Sequence, residues 1–313
     1  MKNLFMKESF NDFDALSHAV QDWDLDFRQL DTGPLHAEIL QFSRTNSLIG
    51  HARFSRRFDQ RGAAPPGLWT FGIFSRRCPS LAWHVNEIEN SYVVIYKPGS
   101  EIDCVSKPGF EVFTLSCPEE HLQKIAQHRG LPEVQKLANG VDHLWVSAKN
   151  LSVIRFLIRK MILTAEEPET LGSSALTYYE DEIFGLILSI LNNSQPVQNV
   201  SSLSGKRAIK KIKDFLTAHP NEVITISKLC TIGGVSARTL QYAFLEHYGI
   251  SPKTYLIYYR LNGARRDLWI SDPGTSRVNN IAIFWGFWHM GQFAADYRKL
   301  FGELPSETLQ RRK

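Results

Sequence analysis

Only four cysteines occur in 313 residues, Cys78, Cys104, Cys117 and Cys230, and no two form a C-x-x-C pair or a zinc-like spacing. That argues against a disulfide scaffold or a cysteine zinc module and fits a reduced, cytoplasmic setting. Long apolar runs are missing too. The longest candidate, near Ile183 to Leu191, is broken by Gly185 and Ser189, well short of the roughly 18 residues a membrane span needs. The chain therefore reads as soluble, with no membrane partner. The N-terminus, MKNLFMKESFNDFDAL, lacks an unbroken apolar core and a small-residue cleavage site, so it does not read as a signal peptide. No G-x-S-x-G, P-loop or Rossmann glycine pattern is present. A metal-dependent barrel enzyme would need clustered ligands such as H-x-H with a carboxylate, but His36, His51 and His84 are dispersed over separate candidate strands. The expectation is a non-enzyme with no cofactor and no metal site.

Net charge is small in total and uneven in place. The formal net charge is +4. Residues 201–313 hold 17 Lys+Arg against 8 Asp+Glu, a net +9, while residues 1–200 hold 19 against 24, a net −5. A basic C-terminal module joined to an acidic N-terminal one suits a polyanion reader attached to something that does not touch the polyanion.

From about Leu35 to Cys117 the chain is rich in β-branched and aromatic residues, with turn signals every ten or so positions. Candidate strands are 35–43, 47–54, 67–75, 81–88, 91–97, 101–106 and 110–116, and the triplet Lys-Pro-Gly recurs at 97–99 and 107–109. Short strands at this spacing indicate a sandwich or barrel rather than βαβ units; the expected form is a jelly-roll-like β-barrel over about 23–117. Its aromatic residues Trp69, Phe71, Phe74, Trp83 and Tyr92 are candidates to line a pocket for a small-molecule effector.

After Pro118 the period changes. Residues 119–129, 143–164 and 174–192 read as helices, the second carrying Leu151, Ile154, Leu157, Ile158 and Met161 at three- and four-residue steps. These helices either complete the barrel's core or pair with a second copy of the chain, and the homodimer is the expectation. The polar stretch 193–205, with its Pro, Ser and Gly, reads as a linker between a sensor and dimerisation domain (1–192) and a helical module (206–313). The fold class is α+β.

The module contains one unit written twice. Ile226 to Pro252 reads ISKLCTIGGVSARTLQYAFLEHYGISP, and Asn280 to Pro305 reads NIAIFWGFWHMGQFAADYRKLFGELP. Leu240 matches Phe293, Phe244 matches Tyr297, Gly249 matches Gly302 and Pro252 matches Pro305 at one spacing; ahead of the turn the spacing is one residue shorter. Each copy reads as a short helix, a glycine turn and a second helix ended by glycine, the plan of a helix-turn-helix. Cys230 matches Ala282 and is expected to be a packed thiol.

Thr225 and Ser236 are placed to cap the two helices of the first copy. With Leu240, Phe244 and Leu245 inward, Arg238, Gln241 and Tyr242 share the outer face, where Arg suits guanine and Gln suits adenine. Ser251-Pro252 starts a helix over about 252–270 that would be about 28 Å long, close to the roughly 34 Å between successive major grooves on one face of B-DNA. Double-stranded DNA is the expected partner, with two adjacent grooves read per chain. Lys206, Arg207, Lys210, Lys211, Arg265 and Arg266 are expected at phosphates. The second reading helix, about 289–301, presents His289, Met290 and Gln292, with Ala294 and Ala295 where polar readers are expected. It is expected to bind mainly through backbone contacts and shape.

These residues resemble the AraC/XylS-type transcription regulators, whose module is two helix-turn-helix units joined by a long helix. The resemblance rests on Leu229-Cys230, Gly234-Val235-Ser236, Leu240, Phe244, Gly249-Ile250-Ser251-Pro252, Arg260-Leu261, Ile281-Ala282, Gly286-Phe287, Phe301-Gly302 and Pro305. The stretch GFWHMGQFAADYRKLFGELPSETL is most similar to the subgroup containing the ethanolamine-utilisation regulator. The resemblance implies a bacterial effector-responsive regulator, usually an activator that contacts RNA polymerase. Ser236, the cap of the first reading helix, is expected at DNA as well, and the resemblance puts Arg238, Thr239, Gln241 and Tyr242 at the first reading site, and Met290, Gly291 and Gln292 at the second. Gly291 and Ala294-Ala295 depart from the family's usual Ser and Ser-Arg, which puts base-specific reading by the second copy in doubt. A regulator without an effector, controlled by its own level or by a partner protein, is the alternative.

Overall fold

The computed structural model describes residues 5–311 apart from 13–14, 17–22, 45–46, 85, 167–172, 195–202 and 220–221. Most of the expected linker thus lies outside the described residues.

The strands are β1 (Phe5–Phe10), β2 (Asp24–Gln29), β3 (Ala37–Ser43), β4 (Leu48–Phe54), β5 (Phe58–Ala63), β6 (Leu68–Phe74), β7 (Leu81–Trp83), β8 (Asn86–Ile88), β9 (Tyr92–Tyr96), β10 (Glu101–Val105), β11 (Phe110–Pro118) and β12 (His143–Trp145). They form two antiparallel sheets. One runs β1-β3-β4-β11-β6-β9-β12, the other β2-β5-β10-β7-β8. This corrects the expected closed barrel. Closure requires the edge strands to pair, but among the described residues β1 and β12 end one sheet and β2 and β8 end the other. Both Lys-Pro-Gly turns are real corners. Gly99 (φ 65°) and Gly109 (φ 84°) take the left-handed conformation that a side chain disfavours. They carry the chain from β9 into the five-stranded sheet and back from β10 to β11.

Period-two alternation divides β6 between two cores. Phe74 faces the opposite sheet, with Phe27, Phe54, Phe58 and Phe110. Trp69, Phe71 and Ile73 face outward onto helices α1 (Glu119–His128), α3 (Ala148–Glu166) and α4 (Ser173–Asn192), which with the short α2 (Val134–Leu137) cover the seven-stranded sheet. The helix expected over 143–164 begins later, because His143–Trp145 pairs with β9 as β12. Leu151, Ile154, Ile158 and Met161 of α3 are buried there, so these helices complete a core. They still leave Val153, Phe156 and Leu163 of α3 and Tyr178 of α4 exposed.

The C-terminal part is helical: α5 (Leu203–Ala218), α6 (Ile226–Gly233), α7 (Ala237–Tyr248), α8 (Pro252–Ile270), α9 (Val278–Phe284), α10 (Met290–Phe301) and α11 (Pro305–Gln310). Its core is continuous with the interior of the sandwich. Polar ties seat α8 on the five-stranded sheet. Gln29 N–H donates to Asn262 Oδ1 (2.8 Å), and Asn262 Nδ2 donates back to Gln29 O (3.0 Å). Tyr255 Oη donates to the fully buried Asp59 (3.0 Å), which also holds Arg61 (2.9 Å).

Candidate nucleic-acid interface

Local chemistry builds the first unit, α6–α7. Thr225 Oγ1 accepts from Lys228 N–H (3.2 Å), and Ser236 Oγ accepts from Thr239 N–H (3.2 Å). Each bond satisfies one of the N–H groups a helix start leaves open. Gly234 (φ 65°) ends α6 and Gly249 (φ 70°) ends α7, both left-handed. Leu240, Ala243, Phe244 and Tyr248 are buried, while Leu245, expected inward, is 45% exposed. The thiol-bearing Cys230 is half-buried.

α8 starts at Pro252, with Ser251 Oγ accepting from Thr254 N–H (3.1 Å). Its 19 residues make a rod of about 28 Å. Trp285, at the end of α9, lies against this rod. A Cβ on Gly263 would stand 2.1 Å from the Trp285 ring, so only glycine allows that approach, and the indole N–H donates to Asp267 (2.7 Å).

The second unit, α9–α10, lacks side-chain caps; Arg277 and His289 occupy its N-cap positions without capping bonds. Contacts outside the unit hold it. The buried Arg265 of α8 pairs with Asp12 (2.7 Å) and with Glu303, and Arg311 joins both carboxylates. Tyr297 Oη bonds Thr308 Oγ1 (2.7 Å). From the sandwich, Gly33 N–H donates to Leu300 O (3.0 Å) and Gln29 Nε2 donates to the same carbonyl (2.7 Å).

Arg238, Gln241 and Tyr242 lie together and exposed on α7, with Thr239 half-buried and Ser236 used as the cap. Arg238 Nη2 donates to Tyr242 Oη (3.1 Å) and its guanidinium lies 5.2 Å from that ring's centre, so the pair leaves the helix as one platform. In the second unit His289 and Gln292 are exposed and Met290 is half-buried, but Gln292 Nε2 is engaged by Asp296 (2.8 Å). Of the six expected phosphate contacts, Arg207, Lys210 and Lys211 are exposed. Lys206 is held by Asn86 (2.7 Å) and Arg266 by Asp26. Arg265 is buried in its carboxylate cluster and is spent on the fold. Arg298 and Lys299 are also exposed, in the last turn of α10, where the sequence-based expectation places no phosphate contact.

The expected effector pocket also changes. Trp69 and Phe71 point away from the sandwich interior; Trp69 Nε1 reaches Glu119 (3.3 Å) and Phe71 packs on Phe184. Tyr92 sits at the β12 edge beside His143. Trp83 is buried against Tyr96, and Phe74 faces the space between the sheets. That space is a cavity of about 80 Å3 bordered by Phe27, Phe54, Phe74, Tyr96, Phe110 and Gln60. The Gln60 Nε2 is buried without a partner among the described residues.

A sandwich carrying two helix-turn-helix units on one rod defines a class of regulatory protein. The helix-turn-helix domain family matches residues 229–311. A probable thc operon regulatory protein of Rhodococcus erythropolis is 40% identical over 97 residues, 31% of this chain and 29% of that protein. The XylDLEGF operon transcriptional activator 3 of Pseudomonas putida is 32% identical over 168 residues, 52% of this chain and 50% of that one. Activator 2 of the same operon is 31% identical over 122 residues, 38% of this chain and 76% of the relative. The chain thus spans about a third and about half the length of the first two. It belongs to the AraC/XylS family of transcription regulators, a family of regulators and not of enzymes. Among the described residues no group of three or more His, Cys, Asp or Glu could hold a metal ion, and no helix is long and apolar enough to cross a membrane.

Proposed function

We propose that this chain is a sequence-specific DNA-binding regulator that reads two adjacent major grooves, most directly through Arg238, Gln241 and Tyr242. The observation that carries this is the exposed Arg238–Gln241–Tyr242 face at the start of a capped helix, with a second helix-turn-helix helix of the same length at the other end of a 19-residue rod. Arg207, Lys210 and Lys211 supply phosphate contacts that set register without adding sequence information. Residues 1–192 act as the sensor and dimerisation domain and 206–313 as the DNA-binding domain. The activator names of the Pseudomonas putida relatives support activation through RNA polymerase. The inter-sheet cavity and the unpartnered Gln60 amide support a small-molecule effector. The narrower ethanolamine-utilisation likeness, carried mainly by residues 286–309 and more faintly by Trp69-Thr70-Phe71-Gly72 and the Lys-Pro-Gly turns, gains nothing from these relatives. Val153, Phe156 and Leu163 form an exposed apolar stripe along α3 that supports a homodimer through that helix.

Footprinting of the full chain tests the reading: protection covers about two helical turns per chain, roughly 20 base pairs, and a single protected turn at saturation would sink it. Arg238→Ala costs about 1–3 kcal/mol on the cognate site only. Lys210→Ala weakens all DNA alike and lowers the salt slope by about 0.9. Equal losses from Arg238→Ala on cognate and random duplexes would remove it from base reading.

A further inference from the structure

The two reading helices can be aligned by their ends. Each has twelve residues, α7 from the cap at Ser236 to the left-handed Gly249 and α10 from His289 to the left-handed Gly302. In that register Arg238, Gln241 and Tyr242 correspond to Gly291, Ala294 and Ala295. The first helix offers a guanidinium, an amide and a phenol where the second offers a hydrogen atom and two methyl groups. The one amide nearby, that of Gln292, is tied to Asp296.

Two further observations give this smooth face a purpose. Gly291 has no left-handed backbone, and a Cβ built on it would meet nothing within 4 Å. The fold therefore has no use for glycine there, and a helix is weakened by it; close approach of a body outside the chain is what a missing side chain permits. Beside it, Trp288 immediately precedes the cap and is 70% exposed, the most exposed large apolar side chain among those described, with Met290 half-buried next to it. Arg298 and Lys299 stand exposed at the far end of the helix, so the apolar face is attached to a polyanion-binding end.

We propose that the second unit reads thymine by its C5-methyl groups. This rests on the DNA-reading function above and names what its weaker half recognises. Along the major groove the thymine methyl is the apolar feature of the base edges, and alanine and other apolar side chains are its partners. With Gly291 at the front, the helix backbone sits close to the groove floor. Ala294 and Ala295 then meet methyl groups directly, and Trp288 and Met290 close the contact against water. Reading by shape alone requires no methyl group, and a protein-docking role for Trp288 requires no thymine.

The experiment begins by selecting sites from random duplexes with the full-length chain. The best site is then remade with single thymine-to-deoxyuridine replacements, which remove the methyl and keep every hydrogen-bonding group. The half-site whose selection survives Arg238→Ala is the one under the second unit. There, deoxyuridine weakens binding about fourfold per methyl removed. Ala294→Gly weakens the thymine site but adds little on the deoxyuridine site, because the two changes delete one contact. Deoxyuridine tolerated throughout that half-site overturns the proposal while leaving the regulator reading intact. Failure to enrich any sequence removes both together.

Discussion

In the first helix-turn-helix unit, Thr225 and Ser236 close both helix starts with their own side-chain oxygens, whereas the second unit begins at Arg277 and His289 without either bond. The second is held from outside, by Arg265 with Asp12 and Glu303, by Trp285 on Asp267 and by the Gly33 and Gln29 donors on Leu300. One plan is thus stabilised in two ways. The first copy closes its helix starts with its own side chains, and the second, without those caps, leans more on its tertiary ties.

The largest expected effect breaks those ties. Arg265→Ala leaves Asp12 and Glu303 without their buried partner and costs about 3–5 kcal/mol. Hydrogen exchange is expected to rise in α9 and α10 before α6 and α7. Equal loss of protection in both units would show that the tie is not specific to the second.

An acid titration probes the other side of the comparison. Burial alone would raise the Asp59 carboxyl, but the charges of Arg61, Lys213 and Arg28 and the hydrogen bond from Arg61 outweigh it and hold the group well below the usual carboxylate range. Asp59 holds Tyr255, which packs on Phe244 and Tyr248 behind the first unit. A depressed folded value means that this contribution is full above the unfolded pKa of about 3.9 and is lost as the pH falls towards the folded one. Stability should therefore rise with pH through this acid window, and Asp59→Asn should flatten the slope. An unchanged slope between pH 3 and 5 in the variant would contradict this.

The smallest effect sharpens the contrast. Ser236→Ala removes a cap and costs about 1 kcal/mol, whereas His289→Ala, at the matching position, removes no capping bond and leaves thermal stability nearly unchanged. Matched losses would mean that the two starts are equivalent after all.

Much of the helical module was legible because its signals span three or four residues. The caps at Thr225, Ser236 and Ser251 and the glycine stops form where expected. Leu245 misled because its spacing suits an inward face, yet the neighbouring elements leave it exposed. Strands β2 and β5 went unread because DLDFRQ and FDQRGA look like solvated charge. Their polar groups are buried by partners such as Asn262 and Tyr255, some 200 positions away. The barrel expectation failed for a related reason: strand spacing sets the number and length of strands but not whether the outermost ones meet.

By itself, the sequence determined the duplicated helix-turn-helix plan, the rod between the copies and the strand-rich first half, since each is written in nearest-neighbour hydrogen bonds and apolar periodicity; the family followed from resemblance over the duplicated module. Only the tertiary structure decided that the sheets stay open, that Trp69 and Phe71 face helices instead of a cavity, and that Arg265 serves the fold. Burial and charge pairing depend on which distant surfaces meet, and no short stretch of chain carries that information.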